Sequence, residues 1–136
     1  MTSHDIIKAG VMGWPISHSL SPRLHGFWLN QYGIDGTYEP IAVEPKNFEQ
    51  KLDALIGEGF AGVNVTVPHK EAALRAVDKV DDRAARIGAV NTIVFDETGQ
   101  KLGTNTDGFG FIENLKAGEP DWQVQNGPAV VLGAGG

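Results

Sequence analysis

Four short runs in this 136-residue sequence carry the group types that chemistry on a small polyhydroxylated acid requires: Ser17-His18-Ser19-Leu20-Ser21-Pro22, Asn64-Val65-Thr66-Val67-Pro68-His69-Lys70, Gly88-Ala89-Val90-Asn91-Thr92 and Asn105-Thr106-Asp107-Gly108. Hydroxyl, amide, ammonium and carboxylate groups together supply the donors and acceptors that each ligand hydroxyl needs. Lys70 is the most telling residue. A cation placed at a helix start faces the positive end of the dipole, so its position asks for a partner carboxylate. Asp107, where a strand gives way to another helix, is the candidate. An ammonium held by a carboxylate inside a pocket is the general recipe for an acid/base lysine. The plainer alternatives are a solvated Lys70 and an Asp107 that merely caps its helix.

The other candidates surround that pair. Asn64 and Thr66, two apart on a strand, point the same way, and Asn91 adds a further amide. Ser19 and Ser21 lie before or at a helix start, where hydroxyls and free N–H groups can hold a carboxylate, although simple capping is the competing role. His18, His25 and His69 lack metal-ligand spacing with any carboxylate and are read as structural or rim residues, so no metal is expected.

Composition narrows the classes. With 11 basic and 17 acidic residues the net charge is −6, and without a Lys/Arg cluster nucleic acid and anionic membrane are poor partners. The absence of Cys removes disulfides, thiolate nucleophiles and Cys-based zinc sites, and fits a reducing cytoplasm. The N-terminal stretch lacks the basic region and apolar core of a signal peptide, and nothing approaches the roughly 20 apolar residues of a membrane span.

The elements that must position these residues alternate between strand and helix patterns. Residues 6–12 read as a buried strand. Ser21 as N-cap and Pro22 as first helical residue then open a helix that Gly33 ends, with Leu24, Phe27, Trp28 and Tyr32 on its inward face. A strand over 37–43 precedes a helix over 45–58 whose buried stripe is Phe48, Leu52, Leu55 and Ile56. The apolar run 60–67 is a strand closed by Pro68. Short helices are expected over 70–76 and 81–87, then a hairpin of strands 90–95 and 102–106 around the turn 96–99. A helix over 108–116 turns Phe109, Ile112 and Leu115 inward. The fold class is α/β, a mostly parallel sheet flanked by helices and ending in a hairpin.

Residues 1–117 therefore form one domain, and 118–128 a linker. Residues 129–132 read as a strand running into the turn Gly133-Ala134-Gly135-Gly136, the opening of a dinucleotide-binding unit in which missing Cβ atoms let the backbone approach a pyrophosphate. On this reading the chain is the first domain of a longer protein, cut at the start of its second.

In this order, Ser-x-Ser-Pro, Asn-Val-Thr-x-Pro-x-Lys, Gly-Ala-Val-Asn-Thr and Asn-Thr-Asp-x-x-Gly, followed by a glycine-rich turn, resemble the shikimate dehydrogenase family across the whole chain. The resemblance implies the substrate domain of an NADP-dependent oxidoreductase that interconverts 3-dehydroshikimate and shikimate in aromatic amino-acid (chorismate) biosynthesis. It implies Lys70 as catalytic acid/base paired with Asp107. Ser19 and Ser21 would bind the substrate carboxylate, with Asn64, Thr66, Asn91 and Asp107 at the ring hydroxyls. For NADP it implies Gly133, Ala134, Gly135, Gly136 and, more weakly, Asp82. A quinate/shikimate or aminoshikimate dehydrogenase, and a non-catalytic module that binds a hydroxy acid, are the rival readings. Cofactor preference and oligomeric state stay open, a homodimer of the full-length protein included.

Overall fold

The computed structural model describes residues 6–133. Six strands, β1 (Ile7–Gly13), β2 (Gly36–Ala42), β3 (Phe60–Val65), β4 (Lys79–Val80), β5 (Thr92–Phe95) and β6 (Lys101–Thr104), form one sheet in the order β2-β1-β3-β5-β6-β4. Strand β1 runs parallel to β2 and β3, and β4 parallel to β6, whereas β5 is antiparallel to both its neighbours. The helices are α1 (Ser21–Gln31), α2 (Phe48–Gly57), α3 (Lys70–Ala76), α4 (Asp82–Ile87) and α5 (Asp107–Gly118). No helix among the described residues is long and apolar enough to cross a membrane.

From β1 the chain passes through α1 to β2 on one side, then returns through α2 to β3 on the other. Such a reversal leaves a crevice at the carboxyl ends of the strands, where open α/β sheets bind their ligands. Registry then brings the four polar runs to one edge. Met12 pairs with Val65, Asn64 with Thr92, and Thr92 with Thr104, so the ends of β1, β3 and β6 and the start of β5 lie in a row.

The core fills the α2 side of the sheet. Phe48, Leu52 and Leu55 from α2 join Met12, Ile41, Val63, Val65 and Ile93 from the strands, with Ala73 of α3 and Ala84 of α4 completing the cluster. The stripe expected for α2 is therefore buried as read, with Ile56 packed at its margin. A 3-10 turn over Pro45–Asn47 precedes this helix, where the sequence suggested one continuous helix from 45. Asp81 caps α4 by accepting from the Ala84 N–H at 2.7 Å, and Gly88 ends that helix at φ 81°, a left-handed conformation glycine takes without cost.

The structure corrects several expectations. The N-cap of α1 is Leu20 rather than Ser21, which is the first helical residue, so Pro22 stands second. No residue of α1 is buried, and Leu24, Phe27, Trp28 and Tyr32 stand exposed, because periodicity shows which face is apolar but not whether anything packs on it. Phe109 is likewise exposed on α5, stacked beneath the Arg83 guanidinium at 5.4 Å instead of turned inward. Residues 129–132 form no strand: an extended apolar run becomes one only where another strand offers it a ladder, and Val130, Val131 and Leu132 meet none.

Candidate active site

Only three buried residues are polar among those described, His69, Asn91 and Asn105, and all three belong to the runs singled out in the sequence. Burial of such groups is tolerated only when their hydrogen bonds are made, so each defines fixed geometry around itself. Asn105 donates from Nδ2 to the Ala89 carbonyl at 3.0 Å and accepts the Asp107 N–H on Oδ1 at 2.9 Å. It thereby locks the turn from β6 into α5 against the strand-entry loop before β5. His69, immediately before α3, meets the Val43 carbonyl through Nε2 at 2.8 Å and stacks on Phe48 with ring centroids 4.8 Å apart. Burial holds its pKa below the usual value of about 6.5, with the Val43 carbonyl working the other way, so the neutral ring donates to that carbonyl.

These anchors set the starts of α3 and α5, and with them the central pair. Lys70, first residue of α3, donates from Nζ to Asp107 Oδ2 at 2.6 Å, and Asp107 is the first residue of α5. The lysine side chain is 18% exposed and the carboxylate 52%, so water reaches the pair and its net contribution to stability is small. Its worth is positional. Asp107 does not cap α5, whose N-cap is Thr106; its other oxygen, Oδ1, accepts from Asn91 Nδ2 at 2.9 Å.

Asn91 has every bonding position engaged. Its Nδ2 also donates to the Thr106 hydroxyl at 2.8 Å, while Oδ1 accepts the Thr106 N–H at 3.0 Å and the Thr92 hydroxyl at 3.0 Å. Asn64 lies one strand over. Its Nδ2 donates to Thr92 Oγ1 at 3.0 Å and, more weakly, to the Asn91 carbonyl at 3.4 Å, and its Oδ1 accepts the Tyr38 phenol at 2.7 Å. One lone pair of Asn64 Oδ1 is left to face a ligand.

Tyr38 closes the other end of the site. Its ring stacks on His25 at 4.0 Å, and burial pushes its phenol up to about 12, the neighbouring Ser21 hydroxyl pulling slightly the other way. Ser19 Oγ accepts the Ser21 N–H at 3.3 Å, so Ser19 rather than Ser21 ties off the helix entry. Thr66, just past β3, presses its methyl toward Gly13, where an added Cβ would lie only 2.6 Å from it. A glycine at that position is what lets the β3 turn close over β1. A cleft of about 360 Å³ opens beside Ala9, His25, Leu29, Tyr38, Asn64 and Thr92.

Thr92 closes one of the four runs read from the sequence but was given no role there, and Tyr38 was not singled out at all; the pairing register of β2, β1, β3 and β5 brings both to the site. Of the remaining candidates, Asp82 is not among these groups; it lies with Asp81, Arg83, Arg86 and Ile87 in an open cleft of about 670 Å³ along α4. Gly133 has φ 104°, and Ala134, Gly135 and Gly136 lie outside the described residues.

An ammonium–carboxylate pair ringed by amides and hydroxyls at one edge of the sheet defines an α/β domain with a polar, hydrogen-bonding cleft. Comparison with known proteins gives that class a family. Residues 11–93, more than half the chain, match the family model described as the shikimate dehydrogenase substrate binding domain. The "Shikimate dehydrogenase (NADP(+))" of Rhodospirillum rubrum is 64% identical over 128 residues, 94% of this chain and 45% of the relative. That of Ruegeria sp. is 52% identical over the whole chain and 49% of its own length. The chain thus spans about half the length of the curated relatives it matches. Among solved structures, shikimate 5-dehydrogenase from Thermus thermophilus in complex with shikimate superposes with a TM-score of 0.86 at 45% identity, covering 96% of this chain and 48% of that one. The same enzyme in complex with NADP(H) and shikimate gives a TM-score of 0.78 at 44% identity, over 83% and 42%. The chain belongs to the shikimate dehydrogenase family.

Proposed function

We propose that the full-length protein is an NADP-dependent oxidoreductase that interconverts 3-dehydroshikimate and shikimate, in the cytoplasm and in aromatic amino-acid biosynthesis, and that residues 1–117 are its substrate-binding domain. The observation that carries the reading is the 2.6 Å bond between Lys70 and Asp107 amid the amides of Asn64 and Asn91. The names of the relatives and the shikimate-bound neighbours support it.

In the reducing direction the substrate oxygen gains negative charge as the carbonyl carbon takes up hydride, and the Lys70 ammonium hands it a proton. In oxidation the amine takes that proton back. Asp107 keeps the ammonium aimed throughout, which is what a proton donor must have before its acidity matters. Asn64 offers an acceptor to a ring hydroxyl, whereas Asn91 offers a donor, its Nδ2 exchanging the bond to the Thr106 hydroxyl for one to the substrate. Thr66 adds a hydroxyl on the same side. Ser19 and Ser21 bind the carboxylate beside the start of α1, where N–H groups without helical partners add to the attraction.

The part of the chain that precedes a nucleotide fits the same role. Gly133 takes a left-handed backbone that suits glycine alone, as a phosphate-binding turn requires. NADP, when bound, supplies or accepts the hydride; Gly133, Ala134, Gly135, Gly136 and Asp82 are the residues of this chain proposed to hold it, with 118–128 as the linker to its domain.

In the full-length protein, Lys70→Ala is expected to lower the rate of shikimate-dependent NADP reduction by roughly two to four orders of magnitude while shikimate still binds, because general acid/base help is worth about that much. Undiminished turnover would sink the acid/base role.

A further inference from the structure

The directions of the hydrogen bonds in this site are dictated rather than free. The Thr106 N–H can only donate, so the Asn91 group facing it is the carbonyl Oδ1, and Nδ2 must face Asp107. The Asn91 main-chain carbonyl can only accept, so the Asn64 group facing it is Nδ2, and Oδ1 must face Tyr38. Thr92 stands between a donor, Asn64 Nδ2, and an acceptor, Asn91 Oδ1. Its single proton therefore goes to Asn91. Tyr38, facing an acceptor, must donate.

We propose that Tyr38 and Thr92 are positioning residues of the acid/base site: through a one-way line of donors running Tyr38 to Asn64 to Thr92 to Asn91 to Asp107, they fix the carboxylate that aims Lys70. Four bonds of 2.7, 3.0, 3.0 and 2.9 Å all point toward Asp107, which accepts the Lys70 ammonium on its remaining oxygen. Bonds aligned head to tail polarise one another, so each strengthens the next. The line crosses three strands. Ala9, paired with Tyr38 on β1, is small enough for the phenol to pass over it toward Asn64 on β3. His25 stacked on the ring holds the phenol in place, and the raised pKa of the Tyr38 phenol keeps its proton on throughout the working range. Thr92 is the one link whose hydroxyl serves as acceptor and donor at once, so it sets the sense of the line.

The test uses the full-length protein and, for its kinetic arm, rests on the oxidoreductase reading. Thr92→Val keeps the shape and removes both bonds; kcat for shikimate oxidation is expected to fall about tenfold or more with KM changed by less than about threefold, and Thr92→Ser to restore it to within about twofold. The second arm needs no turnover. In Tyr38→Phe the side-chain amide NMR signals of Asn91, which Tyr38 does not touch, are expected to move together with those of Asn64. A Thr92→Val enzyme with wild-type kcat, or Asn91 signals unmoved in Tyr38→Phe, overturns the proposal. A wild-type protein inactive on shikimate overturns the functional reading instead, and the NMR arm then decides this one alone.

Discussion

Asn105 shows how much a single buried amide can govern. It bridges the Ala89 carbonyl and the Asp107 N–H, so truncating it strands the carbonyl of a buried residue and frees the N–H that fixes the start of α5. Asn105→Ala is expected to cost about 1–3 kcal/mol in urea unfolding and to loosen Asp107 from Lys70. An Asn105→Ala protein as stable as the parent would show that the two groups find other partners. The sequence carried the pairing of Lys70 with Asp107 in legible form, because a lysine at the start of α3 is electrostatically out of place without an acid nearby. It carried Asn64 and Asn91 for the same reason, as amides at strand ends. Tyr38 escaped it: a tyrosine in a strand is ordinary, and a reach across β1 depends on registry that no local pattern contains.

At the scale of elements, α3 shows a helix secured from outside its own span. His69 joins it to the end of β2 through Val43 and to α2 through Phe48. Because the ring's folded-state pKa is lowered, the unfolded chain binds the proton more readily, and stability contributed by the neutral ring is present above about pH 6.5 and lost as pH falls below it. Melts of the chain between pH 7.5 and 5 are expected to show that loss, and His69→Phe, which keeps the stack and cannot titrate, to show a shallower one. Equal slopes would assign the effect elsewhere. Leu52→Ala, at the centre of the packed face of α2, is expected to lower stability by about 2–5 kcal/mol in denaturant titration. Elements that carry their own stripe and breakers could be read from sequence, α3 after Pro68 to the residue and α2 in its stripe and its end, though not in the 3-10 turn that occupies its expected first residues. Strand β4 could not, since two residues hold no alternation and it exists only because β6 lies beside it.

Across the whole molecule the two faces of the sheet differ. Helices α2, α3 and α4 contribute to the packed core, while the opposite face has α1 lying against β1 and β2 and leaves Ile7 and Val94 exposed. The polar edge, reached from that second face, is likewise open. The chain alone is therefore expected to hold shikimate weakly, because an open cleft buries little of a small ligand, and calorimetry that found micromolar affinity would contradict this. The α/β class and its hairpin were readable from the alternation of patterns, whereas the apolar face of α1 was read as covered because a helical stripe implies a partner without naming it.

The bond between Lys70 and Asp107 joins the opening residues of two helices that belong to different parts of the chain, and α5 leads directly into the stretch proposed as the linker. On the proposed role of Lys70, proton delivery is in that sense geared to a lever. Tilting α5 by even about an ångström would slacken the charged contact, and misalignment on that scale can cost on the order of a hundredfold in rate. Under that role, whatever swung the far end of the helix would also decide whether the amine is cocked or idle.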